Sequence, residues 1–423
     1  MRLTPIAALA LAWLPTAAAA YQTTDQVMWP AQGIYPAYPA EEQAPARPVQ
    51  FFVSGGLYHD SNLFRLSDGA NTQALLGTSQ RSDNIRRIGV GLKADLPISR
   101  QHLLFDARVD DFHYSTFGFL DHSQYSASAT WKWQAGSRWN GDLGYARQRF
   151  LSGFGLLQLP QKNLVTESHA YASVNRLLTP RWRARGALDR SSYDYSNLAA
   201  ATGALSGATP VSALDRATSL TLGGDYLTPP GNSVGAQVKL TDGRYVNPPG
   251  VSGLDNRYRE TEVSGVADWH ATGKSRFIGR LGYTDRRHDQ VSARNFHGVT
   301  ARLDYDWITG AKTLLNFAGW RELEAVESSL ASYALSEGLS FGPHWAPTFR
   351  TVVQAHLFRV RRDYLGSSPE RVDTVRGANV TFGYNPRRTM RFSLGLERGS
   401  QSSNIPNADY DYDLVSANAR FSF

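Results

Sequence analysis

The chain has 423 residues, a formal net charge of +7, no cysteine and an aromatic content of 12%. Without cysteine there is no disulfide framework and no thiolate metal site, and no later apolar run nears the roughly 20 residues that a membrane-spanning helix needs. The basic excess is spread one or two residues per predicted strand, which argues against a nucleic-acid patch and for a charged pore lining.

Arg2, the apolar run Ile6 to Leu14 and the small residues Ala18-Ala19-Ala20 predict a signal peptide over 1–20, cleaved before Tyr21. Residues 21–49 carry Pro30, Pro36, Pro39, Pro45 and Pro48 and read as an extended periplasmic segment without its own core. A tether to a periplasmic partner, or a segment that enters a pore, is the functional alternative for that stretch.

From Gln50 onward the pattern has period two. In Gln124–Gln134 one face carries Tyr125, Ala127, Ala129, Trp131 and Trp133, and the other Ser126, Ser128, Thr130 and Lys132. Arg87–Leu96, Val234–Thr241 and Val299–Trp307 repeat it. A soluble sandwich also alternates, so the connections decide. Tight turns are expected at Pro97–Arg100, Ala135–Arg138, Leu178–Pro180, Thr228–Gly231, Ala271–Lys274, Thr309–Lys312, Gly342–Pro347 and Asn385–Arg388. Longer polar loops, such as 60–82, 151–165, 194–214, 243–256 and 400–408, alternate with them. Short periplasmic turns alternating with long extracellular loops are the layout of an outer-membrane barrel. The expectation is an all-β, antiparallel up-and-down transmembrane β-barrel over 50–423, with about 18 strands (16–18), in the Gram-negative outer membrane.

Tryptophan placement agrees. Trp131, Trp133, Trp139, Trp182, Trp269, Trp307 and Trp345 all fall beside expected short turns, as an interfacial girdle requires, and only Trp320 lies near a long loop. In the last expected strand Val415, Ala417, Ala419, Phe421 and Phe423 share a face. A terminal aromatic there resembles the signal read by the barrel assembly machinery, and this strand should pair with the first.

The same parity assigns the inward face. The candidate pore-lining residues are Asp106, Arg108, Arg183, Arg185, Lys239, Glu262, Arg280, Arg302, Asp304 and Arg391; Arg350 is among the further basic residues placed inward. A mixed, hydrated lining suits a polar solute or polymer better than a single-sign ion filter. The plainer reading is that the charges pair across strands. Loops 60–82 and 194–214 are the candidates to fold inward, and Tyr58, Phe112, Tyr114 and Tyr171 are inward aromatics that could stack on sugar rings.

Catalytic patterns are absent: no Gly-x-Ser-x-Gly elbow, His-Glu-x-x-His or P-loop occurs. His169 and His356 face inward and are the best candidates for a barrel-wall hydrolase, but no spacing supports one. Asp409, Asp411 and Asp413 read as a solvated charge run, with a Ca²⁺ site as the alternative. Neither a cofactor nor a metal is expected.

Tyr58-His59-Asp60-Ser61-Asn62-Leu63-Phe64-Arg65 follows the pattern aromatic-x-Asp-x-Asn-aliphatic-Phe-Arg. It resembles the opening strand of an outer-membrane barrel family associated with exosortase (PEP-CTERM) systems and exopolysaccharide biosynthesis. The stretch from Tyr384-Asn385-Pro386 through Arg391-Phe392-Ser393-Leu394 to Asp411-Tyr412-Asp413 and Phe423 is similar to that family's last hairpin. A second acidic residue often stands in the family where His59 or Ser61 stands here. The resemblance implies passage of a secreted polysaccharide across the outer membrane, with periplasmic or inner-membrane synthesis and export proteins as partners. Read from the residues alone, Asp60, Asn62, Phe64 and Arg65 form a loop motif at the extracellular end of the first strand, where Asp and Asn favour turns. The leading expectation is a passive exopolysaccharide conduit set in outer-membrane lipid. The alternative is a general diffusion porin or uptake channel for small polar solutes, and a hydrolase comes third.

Overall fold

The alternation of residue type becomes an alternation of face in a computed structural model, which describes residues 48–158, 160–197, 214–245, 256–290, 292–325, 333–367 and 370–423. The expected signal peptide, nearly all of segment 21–49 and most of loop 194–214 lie outside the described residues.

The first six strands are β1 (Val49–Asp60), β2 (Asp83–Ile98), β3 (Gln101–Tyr114), β4 (His122–Ala135), β5 (Trp139–Leu151) and β6 (Leu164–Thr179). Then come β7 (Trp182–Tyr195), β8 (Leu214–Leu227), β9 (Ser233–Tyr245), β10 (Arg257–Thr272), β11 (Ser275–His288) and β12 (Phe296–Gly310). The last six are β13 (Thr313–Ala325), β14 (Tyr333–Thr348), β15 (Thr351–Tyr364), β16 (Arg371–Arg387), β17 (Met390–Ser403) and β18 (Tyr410–Ser422). Each pairs antiparallel with its chain neighbour. β1 also pairs with β18, from Phe52↔Ser422 to Asp60↔Leu414, so the meander closes into an 18-stranded barrel with no free edge.

The outward face is apolar and bare. Ile88 is 72% exposed, Leu281 63% and Leu339 71%, while the alternate residues Arg87, Gly282 and Gly338 are buried. A water-soluble sandwich would turn this face inward; here it surrounds a closed cylinder whose polar residues point inward, so its solvent is hydrocarbon. The protein is an outer-membrane barrel. Trp131, Trp139, Trp182, Trp269, Trp307 and Trp345 are exposed beside the short turns, forming one interfacial girdle. Trp320 differs: it is buried on the inner face and lies across Gly338, with Nε1 donating to Ser336 Oγ at 3.3 Å.

Three expectations shift. The turn expected at Gly342–Pro347 is not there, because β14 continues to Thr348 and the chain reverses at Phe349–Arg350. Proline cannot donate to a ladder; the β14–β15 pairing steps over Gly342 and Pro343, from Phe341↔Leu357 to His344↔Gln354, and slips between Trp345 and Thr348 at Pro347. Arg350, assigned inward, therefore sits in that turn at the rim, its guanidinium 5.0 Å from the Phe349 ring. Third, the dispersed basic residues do not all line the pore. Arg86, Arg190, Arg259, Arg287, Arg359, Arg361, Arg376 and Arg398 are exposed on the outward parity. They stand toward the long-loop ends of their strands, past the apolar band, where charge costs little on either face.

Candidate functional site

The inner wall is a set of ion pairs within and between strands, because alternation puts residues i and i+2 of one strand, and inward residues of neighbouring strands, on one face. On β2 and β3, Lys93 Nζ lies 3.1 Å from Asp106, Arg108 Nε 2.5 Å from Asp110, and Arg87 3.8 Å from the same Asp110 carboxylate. On β7 and β8, Arg183 and Arg185 both reach Asp225 at 2.7 Å. The largest group spans β10 to β13. Arg280 holds Glu262 at 2.8 Å and also contacts Glu322, while Arg302 holds Asp304 at 2.8 Å and approaches Glu322 at 3.6 Å.

All ten residues named as pore-lining lie on this inner parity, and eight of them gather into these clusters instead of a continuous ring. Lys239 stands opposite Glu262 in the β9–β10 register. Arg391 sits apart, opposite Arg420 in the β17–β18 register and 3.3 Å from Asn385 Oδ1. Arg420 covers the Phe52 ring at 3.6 Å. Sequence reasoning passed over Glu322, the carboxylate that joins Arg280 to Arg302. Its parity with Ala318 and Trp320 was the available signal. The pairing leaves both signs represented in the lumen and neutralises most of the charge locally, so the wall is polar without a single-sign field.

The extracellular mouth is shaped by the loop after β1. Asp60 is wholly buried and accepts from Asn62 N–H at 3.0 Å and from the two Arg65 guanidinium nitrogens at 2.8 and 2.9 Å. Asn62 Nδ2 donates to the carbonyls of Leu66 and Asp411, at 2.8 and 2.9 Å, and its Oδ1 accepts from Leu66 N–H. Arg65 adopts φ +56°, and its guanidinium lies 3.6 Å over the Tyr412 ring. These bonds turn the chain so that Leu63, Phe64 and Leu66 fold onto the inward side chains Tyr58, Phe112, Tyr114, Tyr412 and Leu414. Phe64 sits edge-on between Phe117 and Phe154, with centroids at 4.8 and 4.7 Å. A short helix α1 (Thr72–Leu76) follows in the same loop, capped by Asn71.

Neighbouring loops brace the fold. Asp83 accepts from the backbone N–H groups of Thr116 and Phe117, and Gln158 donates to the carbonyl of Arg65 at 2.7 Å. Loop 60–82 therefore does fold inward, as one of the two candidates; most of the other, 194–214, is outside the described residues. The aromatic expectation changes accordingly. Tyr58, Phe112 and Tyr114 are nearly fully buried under this loop and present no ring face to a passing sugar. Asp60, Asn62 and Phe64 are likewise enclosed. Tyr171 remains half-buried on the inner wall, stacked on His169 at 5.3 Å with its hydroxyl 2.8 Å from Thr130 Oγ1.

The two histidines stand on different walls. His169 on β6 lies 3.3 Å from Asp189, and His356 on β15 stacks on Phe358. Asp409 accepts from Ser403 N–H and closes the last long loop. Among the described residues no three His, Asp or Glu side chains are grouped to hold a metal ion.

No family profile matches the sequence, and no curated protein matches it significantly. Solved structures are similar in fold. The outer-membrane protein OpdK of Pseudomonas aeruginosa shares 11% identity over 89% of this chain and 99% of its own, with a TM-score of 0.47. OccK2 (OpdF) of the same organism, solved with glucuronate, shares 9% over 89% and 98%, with a TM-score of 0.48. A BenF-like porin from Pseudomonas fluorescens Pf-5 shares 9% over 89% and 99%, with a TM-score of 0.48.

Proposed function

We propose that this barrel is a passive, water-filled, porin-like channel for small polar solutes, narrowed on its outer side by the latched loop 60–82. The observation that carries the reading is the inner wall itself: a closed cylinder of 18 strands is wide enough to enclose water, and its lining alternates Arg and carboxylate, so that solutes exchange weak contacts with either sign. Glucose-sized and disaccharide-sized solutes should swell proteoliposomes, with rates falling steeply as size grows. Proteoliposomes that stay tight to all such solutes would overturn the reading.

The second reading is export of an exopolysaccharide, favoured by the likeness of Tyr58–Arg65 to the opening strand of the exosortase-associated family. A polymer would need the loop displaced from Tyr412 and Phe112, and periplasmic or inner-membrane synthesis and export proteins would deliver it. Deletion that abolishes surface polysaccharide and leaves small-solute permeability unchanged would select export over diffusion.

A further inference from the structure

On five consecutive strands the outward face changes from apolar to charged toward the long loops. It runs Phe317, Gly319, Arg321 on β13; Phe341, Leu339, Glu337 on β14; and Leu357, Arg359, Arg361 on β15. It continues as Val380, Ala378, Arg376 on β16 and Leu396, Arg398 on β17. The apolar part faces the tryptophan girdle and the charged part faces the long loops, so these arginines stand at the headgroups of the outer leaflet.

Their arrangement is unfavourable in isolation. Arg359 and Arg376 are directly opposite in the β15–β16 register, both exposed, and like charges in that position repel. Glu337 is occupied by Arg321, and Asp413 lies 3.9 Å from Arg398. Among the described residues neither Arg359 nor Arg376 has an acidic partner. Just below lie two adjoining grooves in the outer wall, of about 860 and 1030 Å³, which share Leu303, Gly319, Leu339 and Arg359. One reaches Arg376 and Arg398, the other Arg321 and Arg361.

An occupant must therefore lie in the outer leaflet, place hydrocarbon in the grooves and hold anionic groups at the arginine level. We propose that strands β13–β17 bind a phosphorylated, multiply acylated glycolipid of the outer leaflet, with one phosphate between Arg359 and Arg376. Guanidinium forks match phosphate oxygens in bidentate geometry. With strands about 4.8 Å apart, the basic residues spread over about 19 Å from β13 to β17. That breadth suits a sugar headgroup with two separated phosphates better than a single phosphodiester.

The test is native mass spectrometry of the full-length mature protein in detergent, titrated with bisphosphorylated hexa-acyl lipid A, its dephosphorylated form and phosphatidylglycerol. Wild type should show a saturable single-lipid adduct with bisphosphorylated lipid A. The R359Q/R376Q variant should weaken it about tenfold, the loss expected when charge-assisted hydrogen bonds are removed. R190Q, an outward arginine on β7, should leave it unchanged. Correct folding is checked by heat-modifiable migration, and if the double variant fails to fold, the wild-type comparison decides alone: dephosphorylated lipid A should bind about tenfold more weakly. Undiminished binding of the folded double variant, an equal loss in R190Q, equal affinity for the dephosphorylated lipid, or equal affinity for phosphatidylglycerol would each overturn the proposal.

Discussion

Arg65 reaches back to the end of β1 and donates to both carboxylate oxygens of Asp60, at 2.8 and 2.9 Å, while its guanidinium covers Tyr412 of β18. One side chain thus fixes the loop to the two strands that close the cylinder. Removing one member of a buried ion pair costs about 3–5 kcal/mol, because the other charge is left uncompensated. β1 keeps both of its ladders, so the cost falls on the loop. Asp60→Asn should raise single-channel conductance and speed tryptic cleavage after Arg65 and Arg81. Conductance equal to wild type would mean that the loop does not limit the path.

Ion selectivity should respond in opposite directions to the two halves of the β10–β13 cluster. Glu322→Gln removes one of the three carboxylates that face Arg280 and Arg302, and the reversal potential in a salt gradient should move toward anion preference. Arg280→Gln leaves Glu262 and Glu322 in excess and should move it toward cation preference. Breaking either side costs up to about 3 kcal/mol of stability, the low end for a buried pair, because the lumen is hydrated. Shifts of the same sign would contradict the geometry.

The two faces of β4 should differ in tolerance. Ala129 is exposed on the outer face, and its neighbour Ser128 points inward. Ala129→Arg should cost about 2–4 kcal/mol in a folding titration into lipid, as charge does near mid-bilayer. Ser128→Arg should fold as wild type. Equal behaviour would mean that the facing is reversed.

Several inner-wall glycines are covered by aromatic rings. A Cβ on Gly338 would lie 2.1 Å from a carbon of the Trp320 ring, and one on Gly243 at the same distance from Tyr258. A ring laid across a strand glycine fills the space the missing side chain leaves. Gly338→Leu should displace Trp320 and lower stability by about 1–3 kcal/mol, the usual range for overpacking. The readout is the temperature at which the heat-modifiable band is lost.

The barrel was legible because its rule is local. Tyr125 to Trp133 shows both faces within one strand, and the tryptophans beside short turns mark one interface. The turn after β14 was missed because Pro343 and Pro347 read as a break, whereas the ladder tolerates Pro343 at a gap in its pairing and Pro347 at a slip in register, both of which depend on β15. Pinning of loop 60–82 by Asp60, Asn62 and Arg65 is readable from the segment itself, but its partners on β18 are not, for a similar reason. Asn62 bonds to the carbonyl of Asp411, and Leu63 packs with Leu414, partners some 350 residues away that become neighbours only on closure. The even spread of basic residues along the chain favours a pore lining, but it does not separate the inward arginines from those, such as Arg359 and Arg376, that stand on the outward parity near the long loops.

Glu322 touches arginines on both β11 and β12 while itself standing on β13. A bridge of that kind ties three staves of the wall as a hoop does, resisting the squeeze that would turn a round cross-section oval. Permeability set by such a wall should be steady under membrane tension.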